Sequence, residues 1–328
     1  MNRRMIINSV GLVLRVEAAL LLLPAAVGML YGEKQTLIAF LISAAISLLL
    51  GLLPKLFLKP KTHVIYAKEG FIIVAFTWIM LSLVGAVPLV LAGAVTSYAD
   101  AFFEIVSGFT TTGSSVIPDV EVLSHGALFW RSFTHWVGGM GIIVFVMAIL
   151  PNVSERPIHI LRAEIPGPTV GKLVPRIKDT ALILYLIYIV MTVIETVMLL
   201  FGGMSFFESL LHTFGTAGTG GFGLKRDSLA SYSPYIQWVI TAFMILFGVN
   251  FNLYYLMLLK KFKAVVTSTE LWAYFGIILS SVALVAWNIR HLFGGLEQTV
   301  RTAAFQVASV ISTTGYATAD FNLWPNFS

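Results

Sequence analysis

Cysteine is absent from the 328 residues, and charged residues are scarce. Without cysteine the chain can form no disulfide scaffold, no thiolate nucleophile and no cysteine-ligated metal or iron–sulfur site. Charged residues make up 11% of the sequence, whereas soluble domains average about a quarter, so there is too little charge to cover a water-facing surface. Hydrophobic residues make up 58%. This balance predicts a membrane protein.

Apolar runs long enough to cross a bilayer recur along the whole chain. A spanning helix needs about 20 mostly apolar residues. Five runs of this length lack charge, and two weaker ones contain Arg15 and Glu17 or Glu195. The predicted spans are 10–30, 35–54, 70–99, 132–154, 183–201, 228–259 and 271–289. They predict an all-α integral membrane protein.

Three other stretches are poor in charge but rich in Gly, Ser and Thr, which makes them poor lipid-facing helices: 101–118, 205–224 and 302–319. Lys and Arg accumulate in the cytoplasmic loops of membrane proteins. If none of the three stretches crosses, most of the 21 Lys and Arg residues fall on the same side as the N-terminus. We therefore predict re-entrant segments that dip in from the outer face, and a cytoplasmic N-terminus. The net charge of +5 then reflects membrane topology, and no nucleic-acid partner is expected.

The re-entrant stretches contain an internal repeat. Segments 103–113 and 305–315 share a Phe, a Ser, two Thr and a Gly at matching positions, and 217–221 is a more divergent middle copy. In this alignment the three Thr-Gly steps end at Gly113, Gly220 and Gly315. Each copy predicts a unit of membrane helix, re-entrant half-helix with a Thr-Gly turn, and membrane helix around a central pore.

The repeat divides the chain into segments. Two extra membrane helices over 1–60 precede a first pore unit over 61–151. The remaining segments are a cytoplasmic linker over 152–177, a second pore unit over 178–263 and an incomplete third unit over 264–328.

Thr-Gly turns at membrane depth indicate cation permeation. Irregular backbone is tolerated there only where it is buried or lines a watery cavity. Glycine reaches positive φ, which lets neighbouring carbonyl groups point the same way, and a ring of carbonyls can replace the hydration shell of a cation. The C-terminal end of each half-helix adds partial negative charge. One such pair would be ordinary close helix packing, but three in matching positions favour a pore.

The residues resemble the TrkH/KtrB family of bacterial potassium uptake proteins, within the Trk/Ktr/HKT group. The resemblance implies four helix-loop-helix units around one pore in the bacterial cytoplasmic membrane, with potassium as the transported ion and no cofactor. It also implies a homodimer and a cytoplasmic nucleotide-binding regulatory subunit of the TrkA/KtrA type. The segments that carry it are 103–113, 130–132, 135–141, 219–222, 250–255 and 312–320.

Carried onto matching positions, the resemblance implies which residues face the ion. The filter residues are Thr111, Thr112, Gly113, Thr219, Gly220, Thr313, Thr314 and Gly315. Residues in the vicinity of the pore are Thr110, Gly218, Gly221, Ser312, Glu195 and His212.

The chain departs from the family pattern at its end. The sequence ends at Ser328, soon after the third turn, so we expect the rest of the third unit and the whole fourth unit to be absent. With them go the family's glycine-rich gating loop and the arginine that lies under the filter. We expect a C-terminally truncated protein that is inactive on its own, because three quarters of a ring leaves a cation under-coordinated.

Two features near the first unit are interpreted as structural. Arg131 lies near the outer end of its predicted span, so its side chain is expected to snorkel to the interface. Gly139-Met140-Gly141 lies inside the same span and predicts close helix packing.

Other functions remain open from the residues alone. A carrier for another monovalent cation, sodium or ammonium, and a non-conducting membrane scaffold both fit the spans. A membrane-embedded enzyme would need paired acids, a metal site or an activated nucleophile. Only isolated charges are found in the spans, so no enzyme activity is expected.

Overall fold

The computed structural model describes residues 2–58, 67–141, 177–325 and 328. Within these residues the regular structure is helical, with no strand. The chain divides into two compact units, the first formed by Met1–Thr110 and Ser114–Tyr185, the second by Thr111–Gly113 and Leu186–Ser328. The first turn thus belongs with the second unit. The predicted linker, 152–177, lies almost wholly outside the described residues.

The first unit is built from the N-terminal helices and the first half-helix. Its described α-helices are α1 (Arg3–Leu20), α2 (Leu22–Leu30), α3 (Lys34–Phe57), α4 (Ala67–Leu91), α5 (Tyr98–Phe109) and α6 (His125–Gly139). Helix α1 packs against α3 and α4. It comes close to α3 at two glycines, since a Cβ on Gly51 would lie 2.6 Å from the carbonyl oxygen of Gly11. Such small residues let helix backbones approach closely in membranes.

The first half-helix is held in an aromatic core. Helix α5 packs against α4 and α6. Trp130 of α6 is fully buried, and its indole N–H donates to the carbonyl of Gly85 at 2.9 Å. Its ring meets those of Phe40 and Phe109 edge to face. The indole N–H therefore has the partner that a buried Trp requires.

The second unit holds the other two half-helices. Its described α-helices are α7 (Ile177–Phe201, which begins in the first unit), α8 (Phe206–Ala217), α9 (Pro234–Phe247), α10 (Phe251–Leu258), α11 (Phe262–Val266), α12 (Thr269–Ile289) and α13 (Leu296–Ile311). Helix α8 packs against α9, and α13 packs against α9 and α12. The short half-helices α8 and α13 are thereby supported by longer apolar ones.

Five spans in the described part of the chain are long and apolar enough to cross a membrane: α1 and α2 together, α3, α4, α7 and α12. They correspond to five of the predicted spans. The predicted span 228–259 is not one straight helix, because α9 and α10 meet at an angle of 85°. Gly248 caps α9, and the Asn250 side chain caps α10 by accepting from the N–H of Asn252 at 3.0 Å. These two caps break the run.

The predicted span 132–154 is also interrupted. Helix α6 ends at Gly139, and Gly141 has a φ of +75°, which a helix cannot continue through. The interpretation of Gly139-Met140-Gly141 as helix packing within a span is therefore wrong, because these residues end the helix. Residues 142–154 lie outside the described residues.

Candidate functional site

Each of the three half-helices ends directly before a predicted turn. Their C-cap residues are Thr110, Gly218 and Ser312, all in right-handed helical conformation. Helix α8 starts with a capping box, in which Ser205 and Glu208 satisfy each other's main-chain N–H groups. A defined start and a capped end fix the length of this half-helix.

The turns have an unusual backbone. Threonine is β-branched, and left-handed φ in such a residue is a true outlier that costs roughly 1–2 kcal/mol. The same threonine position is left-handed in all three turns, and strain of this kind is concentrated at functional sites. The left-handed residues are Thr111 (φ 55°), Gly113 (76°), Thr219 (53°), Gly221 (70°), Thr313 (59°) and Gly315 (86°).

These angles correct the alignment of the middle turn. The glycine equivalent to Gly113 and Gly315 is Gly221, and the predicted equivalence of Gly220 was wrong by one residue. Hydrogen bonds give the same alignment. The N–H of Gly220 donates to the carbonyl five residues earlier at 2.9 Å, as does that of Thr314 at the same distance. Gly220 is therefore the middle residue of its turn, equivalent to Thr314.

The amide groups of the second and third turns are used to cap their own half-helices. The N–H groups of Gly220 and Gly221 donate to the carbonyl of Gly215 at 2.9 and 3.3 Å. Those of Thr314 and Gly315 donate to the carbonyl of Ser309 at 2.9 and 3.5 Å. Where left-handed and right-handed residues alternate, N–H groups gather on one side of the backbone and carbonyls on the other. The amides of these two turns face their own half-helix.

The three turns contact one another in sequence within the second unit. A Cβ on Gly113 would overlap the carbonyl oxygen of Gly220, and a Cβ on Gly221 would overlap that of Thr314. Among the described residues nothing lies within 4 Å of a Cβ built on Gly315. The glycine of one turn thus seats against the middle carbonyl of the next. The structure brings all eight predicted filter residues into these three adjoining turns.

Two charged or titratable residues predicted near the pore lie outside the turns themselves. Glu195 of α7 is fully buried, and neither carboxyl oxygen makes a hydrogen bond of normal geometry in the described part of the chain. It interacts with the hydroxyl of Thr216 and electrostatically with Tyr316. His212 is also fully buried, and its Nε2 lies 3.2 Å from the hydroxyl of Tyr232. Both therefore contact the supports of the turns.

A buried ion pair in the first unit was missed in the sequence. The guanidinium of Arg131 is 2% exposed and lies 2.6 Å from the carboxylate of Glu104 in α5. The carboxylate also accepts from the Ser115 hydroxyl at 3.0 Å and the Val116 N–H at 3.1 Å. The expectation that Arg131 snorkels to the interface is wrong, because Glu104 neutralises it inside the protein.

Tyr316 was missed as a site residue, although it lies in the segment 312–320 that carries the family resemblance. It follows the third turn and is fully buried. Its hydroxyl donates to the carbonyl of His212 in α8 at 3.2 Å. Tyr316 thus joins the third turn to the half-helix of the second.

Comparison with known proteins gives one consistent family. Residues 36–328 match TrkH, described as a cation transport protein. The Trk system potassium uptake protein TrkH of Escherichia coli K12 is 33% identical over 334 residues, which cover 100% of this chain and 69% of the relative. TrkG of the same strain is 30% identical, with coverage of 98% and 67%.

A solved structure shows the same fold. The crystal structure of the potassium transporter TrkH from Vibrio parahaemolyticus superimposes with a TM-score of 0.87 at 30% sequence identity. The match covers 100% of this chain and 68% of that structure.

Proposed function

This chain belongs to the TrkH family of cation transport proteins, and we propose that it carries potassium into the cell through a path lined by its three turns. It is a multi-pass bacterial membrane protein. Transport of this kind breaks no covalent bond, so the proposal calls for no cofactor, and potassium is the substrate.

The orientation of the turn carbonyls carries this proposal. In the second and third turns the amides are bonded to their own half-helix. We infer from this that the carbonyls face away from the half-helix. Carbonyl oxygens can replace the water around a cation, and the half-helix that ends there adds a partial negative charge. An anion would require the opposite arrangement, with free N–H groups facing it.

Threonine strain supports permeation over a purely structural role. Glycine would satisfy the same left-handed position at no steric cost. A scaffold has no use for three strained threonines at equivalent positions, whereas a filter uses their carbonyls in a fixed orientation. Relatives named potassium uptake proteins favour potassium over sodium or ammonium.

The proposed ion-facing residues are those of the three turns. Gly221 joins them because its backbone angle and hydrogen bond match those of Gly315. Gly220 stays in the set as the middle residue of its turn. The full set is Thr111, Thr112, Gly113, Thr219, Gly220, Gly221, Thr313, Thr314 and Gly315.

The topology and partners complete the proposal. The N-terminus lies in the cytoplasm, as the distribution of Lys and Arg indicates. The relatives are named as parts of a Trk system, which supports a multi-component assembly. We expect that assembly to contain two copies of this chain and a cytoplasmic nucleotide-binding regulatory subunit.

Potassium uptake by cells that lack their own uptake systems tests the function. Cells that express this chain should take up potassium from a low-potassium medium, contrary to the expectation from the sequence that three turns alone are inactive. Gly113→Ala should abolish uptake without loss of protein from the membrane, since its methyl group would overlap the carbonyl of Gly220. Gly276→Ala is the control, because nothing lies within 4 Å of a Cβ there among the described residues. Equal uptake by the Gly113 variant and the wild type would overturn the proposal.

A further inference from the structure

Tyr316 connects the third turn to α8, the half-helix that precedes the second turn. It is fully buried, and its hydroxyl donates to the carbonyl of His212 at 3.2 Å. Its own carbonyl accepts from the hydroxyl of Ser309 at 2.7 Å, which fixes the start of the segment that follows the third turn. The side chain therefore reaches out of one turn into the half-helix that precedes another.

A glycine makes room for this contact. A Cβ on Gly215 would overlap the hydroxyl oxygen of Tyr316 and lie 3.1 Å from the ring carbon that bears it. In the alignment given by the turn angles, the positions equivalent to Gly215 are Ser107 and Ser309. Only the middle copy lacks a side chain at this position, and only there does the tyrosine hydroxyl occupy the space.

The contact lies at the point that sets the second turn. The carbonyl of Gly215 accepts the N–H groups of both Gly220 and Gly221. The main-chain nitrogen of Tyr316 also lies 3.2 Å from a Cβ built on Gly221. A shift of the tyrosine is thus transmitted to the second turn at its base and at its glycine.

The segments that follow the second and third turns are also hydrogen-bonded to each other. The N–H of Leu229 donates to the carbonyl of Ala317 at 3.0 Å, and the N–H of Ala317 donates to the hydroxyl of Ser228 at 3.2 Å. These bonds hold the main chains side by side. Tyr316 adds the one contact of this group that reaches the half-helix.

We propose that Tyr316 is a positioning residue that determines specificity, and that its seat in the space left by Gly215 fixes the spacing of the second and third turns. Selection between potassium and the smaller sodium ion depends on the arrangement of coordinating carbonyls, so a fixed spacing favours one ion. A side chain locked by packing and by the hydrogen bonding of its hydroxyl to α8 supplies the necessary support. This inference rests on the proposed potassium transport.

Three variants test it by the ratio of potassium to sodium permeability. Tyr316→Phe removes the hydroxyl and should lower the ratio by roughly two- to tenfold, the effect of one hydrogen bond. Gly215→Ala should lower the ratio further, because its methyl group overlaps the hydroxyl. The double variant Gly215→Ala/Tyr316→Phe should return to the ratio of Tyr316→Phe, because the methyl then occupies the vacated space.

Tyr98→Phe is the matched control. Its hydroxyl also donates to a main-chain carbonyl, that of Leu83 at 2.6 Å, but it lies in the first unit, outside the described second unit and its turns. The permeability ratio should be unchanged there. A structural role alone would lower the amount of folded protein and leave the ratio of the remaining molecules intact.

The inference is overturned if Tyr316→Phe and Gly215→Ala transport with the wild-type ratio, or if the double variant is worse than Gly215→Ala. For any variant without flux, the rise in melting temperature on adding potassium or sodium chloride gives the same comparison on purified protein. Absence of potassium uptake by the wild type would instead contradict the proposed function.

Discussion

The α-carbon of Gly221 lies directly against the carbonyl of Thr314. A Cβ at this glycine would overlap the carbonyl oxygen and lie 2.9 Å from the carbonyl carbon. The same relationship joins Gly113 to the carbonyl of Gly220. The contact thus recurs between successive turns. Gly113 and Gly221 therefore do more than permit a positive φ, because each also leaves room for a carbonyl of the next turn.

Gly221→Ala should lower potassium uptake by about tenfold or more, which corresponds to only about 1.4 kcal/mol of lost ion stabilisation. The methyl group would displace the carbonyl of Thr314, a proposed ion ligand. Uptake of a radioactive potassium analogue into cells or proteoliposomes measures the change.

Gly315→Ala is the control for this prediction. It also places alanine at a positive φ, +86° compared with +70° at Gly221, but its Cβ meets nothing within 4 Å among the described residues. Its uptake should fall less than that of Gly221→Ala. Equal losses in the two variants would show that φ strain, and not the carbonyl contact, matters at Gly221.

Thr313→Gly should leave the free energy of unfolding unchanged or raise it by about 1 kcal/mol. Relief of left-handed strain contributes roughly 1–2 kcal/mol, offset by the 0.5–1 kcal/mol entropic cost of glycine. Ser280→Gly in the exposed middle of α12 should instead destabilise by about 0.5 kcal/mol. Thermal unfolding in detergent compares the two variants. A clear loss of stability in Thr313→Gly would contradict the claim that the left-handed conformation strains Thr313.

Arg131→Met should destabilise the protein by roughly 3–5 kcal/mol, because it leaves the buried carboxylate of Glu104 without its cation. Glu104→Gln combined with Arg131→Met should be less destabilised than Arg131→Met alone, since neither charge remains. Melting temperatures of the purified variants give the order. If the double variant were less stable than Arg131→Met alone, the unpaired charge of Glu104 would not be the cause of the lost stability.

The carboxyl group of Glu208, at the start of α8, should make the stability of the folded protein depend on pH. Partial burial raises the pKa of this carboxyl group, but hydrogen bonds from the hydroxyl and N–H of Ser205 and from the hydroxyl of Tyr232 outweigh burial, so the pKa is lowered. A lowered folded-state pKa contributes stability above the unfolded-state pKa, and that stability is lost as pH falls through the folded value.

Glu208→Gln should therefore be less stable than the wild type at neutral pH, and the difference should shrink in acid below the ordinary carboxyl pKa. Melting curves at a series of pH values test this. Glu121→Gln is the control, because that residue is on a short 3-10 helix outside the half-helices. A difference at Glu208 that stays constant with pH would exclude the hydrogen-bonded carboxylate as its cause.

The turns could be located from the sequence because a threonine and a glycine recur after each half-helix. Their alignment could not, since the middle copy has Gly220 and Gly221 in succession and letters alone do not tell which has positive φ. The hydrogen bonds to Gly215 decide it. The break after α9 did leave a signal, a Gly248 C-cap followed by an Asn250 N-cap.

Contacts between segments that are distant in the sequence could not be predicted from the sequence. Arg131 reads as a residue near the end of an apolar run, and only the folded half-helix brings Glu104 to it. Tyr316 reads as one aromatic residue among many, and its role depends on the missing side chain of Gly215, about a hundred residues earlier. Sequence periodicity predicts elements, whereas these pairings depend on how the elements pack.

The location of bound ions tests the central claim most directly. Crystals soaked in rubidium chloride should show anomalous density on one axis, in contact with main-chain carbonyl oxygens from all three turns, Thr111–Gly113, Thr219–Gly221 and Thr313–Gly315. Rubidium that touches only one turn, or binds only elsewhere, would contradict a shared ion path.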